Sequence, residues 1–166
     1  MPTFIGCDLA QSYDRSALVG VDVTRAQPAV EVPESGRPRR QRGRNHYEIR
    51  LIQRLPVGLS YPAQVDRIAA IAEALGDNGE LPSLVVDGTG VGRAVVDLLR
   101  EAYRGPLRSV IITGGAAVEN EGSLHVKVPK TDLVSSLEVV LSTRRLHCRP
   151  GLDLAKELEA ELREYG

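Results

Sequence analysis

No tryptophan occurs in this chain, phenylalanine occurs once, and aromatics make up only 4% of its 166 residues. A core must therefore be assembled from Val, Leu, Ile and Ala. There are two cysteines, and Cys7 and Cys148 stand alone, with no CxxC and no histidine at metal-ligand spacing. That excludes a disulfide framework or a zinc-ribbon site; two structural thiols in a reducing compartment are expected. No apolar run approaches the roughly 20 residues of a membrane helix, so no membrane partner is expected. "MPTFIGCDLA" has neither a basic leading stretch nor a cleavage site, and no secretory signal is read there. GxxxxGK[ST] is absent, which leaves no phosphate-cradling loop of the ATPase type. The net charge of −1 provides no global field to draw in nucleic acid.

Charge is unevenly placed, however. "GRPRRQRGRN" (36–45) holds Arg37, Arg39, Arg40, Arg42 and Arg44, which leaves the rest of the chain at net −6 against −1 for the whole. Pro28, Pro33 and Pro38 argue against regular structure, so 25–45 is expected to be an Arg-rich surface loop. Two roles fit it. One is a solvated insertion between strands; the other is a phosphate-contacting arm, because clustered arginine binds nucleic-acid backbones without regard to sequence.

Hydropathy patterning gives the order of elements. Residues 3–10 and 16–24 read as strands joined by a short turn, which favours an antiparallel hairpin. "HYEIRLIQRLP" (46–56) alternates with period two, as a half-exposed strand does. "YPAQVDRIAAIAEAL" (61–75) then switches to a helical period, with Pro62 at its start and Val65, Ile68, Ala72 and Leu75 on one face. Strands follow at 83–88, 107–114 and 123–128, with a helix at 93–103 between the first two. A helix at 131–142, with Thr131 as its expected N-cap, a short strand at 145–149 and a helix at 152–165 complete the chain. Three strands followed by alternating units predict one α/β domain over 1–166: an antiparallel meander, then parallel strands, with helices on both faces.

The chemistry is carried by acids. Asp8 interrupts the apolar run "FIGCDLA", and a carboxylate in a buried strand needs a compensating cation. If strand 83–88 lies parallel beside strand 3–10, Asp8 and Asp87 meet at the carboxyl edge of the sheet, where open α/β sheets bind ligands. Asp14, in the turn before the second strand, can lean toward the same edge. Neighbouring carboxylates repel unless one is protonated or a cation lies between them. Mg²⁺ or Mn²⁺ with oxygen ligands fits, and a two-ion site activates water and stabilises the leaving oxygen of a phosphodiester. Each acid also has a plainer role: Asp8 bonded to a turn, Asp87 capping "GTGVG", Asp14 an ordinary turn residue, Asp132 complementing a helix dipole. Asp22 is expected to face solvent.

"GCDLAQSYDRSALV", "LVVDGTGVGRAVVDLLR" and "VPKTDLVSSLEVVLSTRRL" together resemble the nuclease domain of the large terminase subunit of tailed phages, across about residues 4–163. The resemblance implies a ribonuclease-H-like fold, DNA cutting during genome packaging, and acids that bind Mg²⁺ or Mn²⁺. It places Asp8 at the first-strand metal ligand, Asp87 at the second acidic motif and Asp14 at an auxiliary acid. The family's last acidic motif, an adjacent aspartate pair, falls beyond "ELEAELREYG". Asp132 mimics it superficially, although "VPKTDLV" matches an upstream helix. The chain is therefore expected to be a fragment, a standalone relative or a prophage remnant, acting in the bacterial cytoplasm on double-stranded DNA. Partners implied are an ATPase domain or other packaging proteins. A module keeping this fold for DNA or packaging-protein binding, with impaired catalysis, is the alternative.

Other motifs weigh less. Gly88-x-Gly90-x-Gly92 lacks GxGxxG spacing because Arg93 occupies the third glycine position, so a dinucleotide site is not expected. Those glycines instead let the backbone pass close to Asp87, with Arg93 near a possible DNA phosphate at the start of the following helix. His46, His125 and His147 are scattered, and Lys127 and Lys130 flank Pro129 in an exposed turn. A sugar-kinase or actin-type nucleotide site would need two such domains.

Overall fold

The computed structural model describes residues 1–10, 14–26, 29–31, 39–41, 44–89 and 92–164. Its strands are β1 (Thr3–Asp8), β2 (Ala17–Thr24), β3 (Ala29–Glu31), β4 (Arg39–Gln41) and β5 (His46–Arg54). After α1 (Tyr61–Ala74) come β6 (Ser83–Asp87), α2 (Gly92–Ala102), β7 (Leu107–Thr113), β8 (Glu119–Glu121) and β9 (His125–Pro129). The chain continues through α3 (Lys130–Ser142), β10 (Leu146–Cys148) and α4 (Ala155–Glu164).

Eight strands form one mixed sheet in the order β10-β5-β2-β1-β6-β7-β9-β8. β2 is antiparallel to β1 and to β5, whereas β6, β7 and β9 extend the sheet parallel to β1. The expected meander followed by parallel strands is thus present. Three departures are local. The 25–45 segment contains a short antiparallel ribbon, β3 with β4, where only a loop was expected. β8 was not expected; it pairs with β9, and Lys127 Nζ lies 2.6 Å from Glu121 Oε1 across that pairing. At α3 the backbone turns helical from Lys130, with Pro129 as N-cap and no side-chain cap, so Thr131 lies inside the helix rather than capping it.

Period-two alternation sorts β1 cleanly. Ile5 and Cys7 are buried while Phe4, Gly6 and Asp8 are exposed on the other face. The buried set joins Leu18, Leu84 and Val86, and α1 and α2 close over it with Val65, Ile68, Ala72, Val95, Val96 and Leu99. Aliphatic packing of this kind stabilises by roughly 1.5–3 kcal/mol per fully buried side chain. Helix α1 starts at Ser60, whose Oγ accepts from the Ala63 N–H, with Pro near its first position as the sequence implied.

The second sheet face carries α3 and α4. Ile112, out of phase with buried Ser109, lines a cavity with Leu133, Leu137 and Leu162, and Arg54 pairs with Glu161 at 3.3 Å. Helices therefore lie on both faces, but unequally, for neither α3 nor α4 contributes a buried residue. No described helix is long and apolar enough to cross a membrane.

A candidate acidic site at the sheet rim

Parallel pairing brings Cys7 opposite Val86. The next residue of each strand is an aspartate, so Asp8 and Asp87 end neighbouring strands side by side, about 4.8 Å apart in strand spacing. They share the face opposite the α1/α2 core. Asp14 sits in the turn leading to β2, whose Ala17 pairs with Asp8. Asp8 and Asp14 are exposed and Asp87 is half-buried. The expectation that Asp8 is buried is therefore corrected: β1's alternation turns it to the open face, where no full desolvation cost applies.

Its electrostatics remain unusual. Partial loss of hydration at the rim raises the Asp8 pKa above the ordinary value, and the charges of Asp87 and then Asp14 raise it further. Among the described residues none of these three acids has an ion-pair partner. Asp87 does have a local structural role, since its Oδ1 accepts the Thr89 N–H at 2.8 Å and so caps the glycine turn. Thr89 Oγ1 in turn accepts the Ile112 N–H at 2.9 Å and ties that turn to β7. Gly88 lets the backbone pass close to β7, for a Cβ there would force the Ser109 hydroxyl to turn away.

Asp22 is the instructive contrast. It was expected to face solvent, yet only 3% of it is exposed. Thr3 Oγ1 donates to its Oδ1 at 2.7 Å, and Arg50 and Arg149 lie 3.4 and 4.0 Å from its carboxylate. The buried acid in this protein is thus matched by cations of the chain, whereas among the described residues the rim acids have none.

The other expected residues scatter. Asp132 lies in the first turn of α3 at the same edge of the sheet. It follows β9, two strands beyond β6 and so roughly 10 Å further along. Only Asp87 and Asp14 are the acids that perturb Asp8. Arg93 opens α2 and lies 3.8 Å from Glu121. Arg39 and Arg40 belong to β4, Arg44 is exposed, and Arg37 and Arg42 lie outside the described residues. Cys7 is buried as expected, its thiol pushed up to about 12 by burial, whereas Cys148 is exposed and so is not a core thiol.

Two residues that position the site were missed. Ser16 and Gln64 are buried polar groups. Ser16 Oγ donates to Gln64 Oε1 at 2.7 Å and accepts the Ala10 N–H at 3.0 Å. Gln64 Nε2 donates to the carbonyls of Leu59 and Ala10 at 2.9 and 3.3 Å. Together they fix both ends of the turn bearing Asp14. The signal available was an amide beside Val65 on the inward face of α1.

Among the described residues no group of three or more His, Cys, Asp or Glu side chains is gathered to hold a metal ion. The residues that could hold an ion are an open pair, Asp8 and Asp87, with the charge of Asp14 near enough to act on Asp8. One or two carboxylates completed by water suit Mg²⁺ or Mn²⁺, which keep several waters, better than a metal that needs a closed cage. No family model, curated protein or solved structure matched this chain.

Proposed function

We propose that this chain is a metal-dependent DNA endonuclease domain of ribonuclease-H-like fold, of the kind found in phage large terminase subunits. The observation that carries the reading is the side-by-side termination of β1 and β6 in Asp8 and Asp87. The meander-then-parallel strand order supports it, as does the absence of chain cations at those acids among the described residues. Asp8 and Asp87 would hold Mg²⁺ or Mn²⁺, and Asp14 would add negative charge from the turn. When bound, the ion supplies Lewis acidity for phosphodiester hydrolysis. The chain itself aligns the two carboxylates through the β1–β6 register, fixes Asp87 through the Thr89 N–H, and holds the Asp14 turn through Ser16 and Gln64. Basic residues of the 25–45 segment and Arg93 would supply sequence-independent affinity for double-stranded DNA. An ATPase domain or other packaging proteins would be the partners, in the host cytoplasm.

Nicking of supercoiled plasmid in Mn²⁺, reduced at least a hundredfold in Asp8→Asn and in Asp87→Asn, is the expected outcome. Equal nicking by wild type and both variants would refute it. The open donor pair favours one second reading: a module with impaired catalysis that binds DNA or packaging proteins. Under that reading DNA affinity persists while no preparation nicks plasmid.

A further inference from the structure

At the other end of the same sheet face lies a cavity of about 480 Å³ whose lining includes Phe4, Tyr47, Arg25 and Asn45. Phe4 is the chain's only phenylalanine and is 40% exposed on β1. It pairs across to Val21, and Tyr47 pairs with Val23 two positions along β2, so both rings rise from the face that carries Asp8. Between Phe4 and Asp8 that face presents only Gly6, where an added Cβ would touch nothing nearer than the Val19 carbonyl at 3.9 Å. Although α3 and α4 lie on this face, Phe4, Gly6 and Asp8 all remain exposed, and the strip from ring to carboxylate runs about 13 Å at the strand rise.

Cations gather at the ring end. Arg25 and Asn45 are where the 25–45 segment leaves and rejoins the sheet, both line the cavity, and Arg44 is exposed beside Asn45. Arg145 Nη1 donates to the Asn45 carbonyl at 3.0 Å, adding another guanidinium there. One exposed ring and one half-buried ring near arginines, with a side-chain amide beside them, suit unstacked bases and a phosphate backbone. They do not suit a closed duplex, whose bases already stack on one another.

We infer that the open face of β1 is a single-strand track: bases stack on Phe4 and Tyr47, arginines around Arg25 carry the backbone, and the strand runs past Gly6 toward Asp8 and Asp87. This rests on the nuclease reading only for the strand's destination. It specifies that the DNA beside the cut is held unpaired.

The test is fluorescence anisotropy with fluorescein-labelled dT12 and a labelled 12-base-pair duplex, in EDTA so that no cutting occurs. Phe4→Ala and Tyr47→Ala are expected to weaken dT12 binding roughly tenfold each and leave duplex binding unchanged. Phe4→Trp is expected to bind as wild type, and Arg25→Gln to weaken binding with a shallower salt dependence. Phe4→Leu, which keeps apolar bulk but removes the ring, guards against a fold defect and is expected to follow Phe4→Ala. Wild-type dT12 affinity in the Phe4→Leu and Tyr47→Ala variants would overturn the inference, as would equal losses for duplex and single strand. Ring-dependent dT12 binding without plasmid nicking would sink the nuclease reading alone; nicking with ring-independent binding would sink the track alone.

Discussion

Asp8 and Asp22 are carboxylates on the same pair of strands, and the protein treats them oppositely. Asp22 is buried with Thr3, Arg50 and Arg149 around it. Asp22 is the buried member while Arg50 and Arg149 reach solvent and Arg149 keeps Glu48, so Asp22→Ala is expected to cost about 1–3 kcal/mol in urea unfolding. For Asp8 the sign is reversed. Its pKa is raised by lost hydration, then by Asp87 and Asp14. The folded state therefore holds this proton more tightly than the unfolded one. The stability that proton confers is present at acid pH and lost as pH rises through the raised value. At neutral pH without metal, Asp8→Asn is expected to raise the melting temperature, the difference closing as the pH falls to about 4. Added Mn²⁺ should stabilise wild type and not the variant, because a ligand stabilises only the state that binds it. A lower melting temperature for metal-free Asp8→Asn at neutral pH would contradict this electrostatic account.

At the scale of elements, the turn between β1 and β2 is held by α1, which follows it much later in the chain. Gln64→Leu keeps bulk on the inward face of α1 but leaves Ser16 Oγ and the Ala10 and Leu59 carbonyls without their partner. Loss of about 1–3 kcal/mol of stability is expected, the cost of leaving the one fully buried group, Ser16 Oγ, without its acceptor, since the two carbonyls are half-buried and can turn to water. Because the turn bears Asp14, Mn²⁺ affinity by calorimetry is expected to fall with it. Unchanged affinity would show that Asp14 takes no part at the rim. Legibility in the sequence follows the same division. The alternation of "TFIGCD" and the helical period of "VDRIAAIA" report local geometry, so β1, β2, β5, α1, β6 and α2 were readable. Ser16 with Gln64, and Asp22 with Arg149, are side chains that meet only after the sheet has formed. Local patterning carries no trace of such pairs. β8 was missed for the same reason: "ENE" has no apolar signal and is a strand only because Lys127 and the β9 edge are beside it.

The whole molecule is lopsided. One sheet face is sealed by α1 and α2 with Ile68, Ala72 and Leu99 fully buried, while α3 leaves Leu133 39% and Val139 54% exposed. Both acids and the Phe4 ring lie on the less covered face. The juxtaposition of Asp8 with Asp87 was readable once strand 83–88 was placed parallel to strand 3–10, since register then follows from the buried positions. Asp8's exposure was not, because a short apolar run does not reveal which of its faces a helix will cover. Uptake of a divalent ion by this carboxylate pair is the property on which the proposed chemistry depends. Anomalous diffraction from a crystal soaked in Mn²⁺ tests that directly: a peak coordinated by both Asp8 and Asp87 is expected, and a fully occupied lattice-wide soak with no peak between them would contradict it.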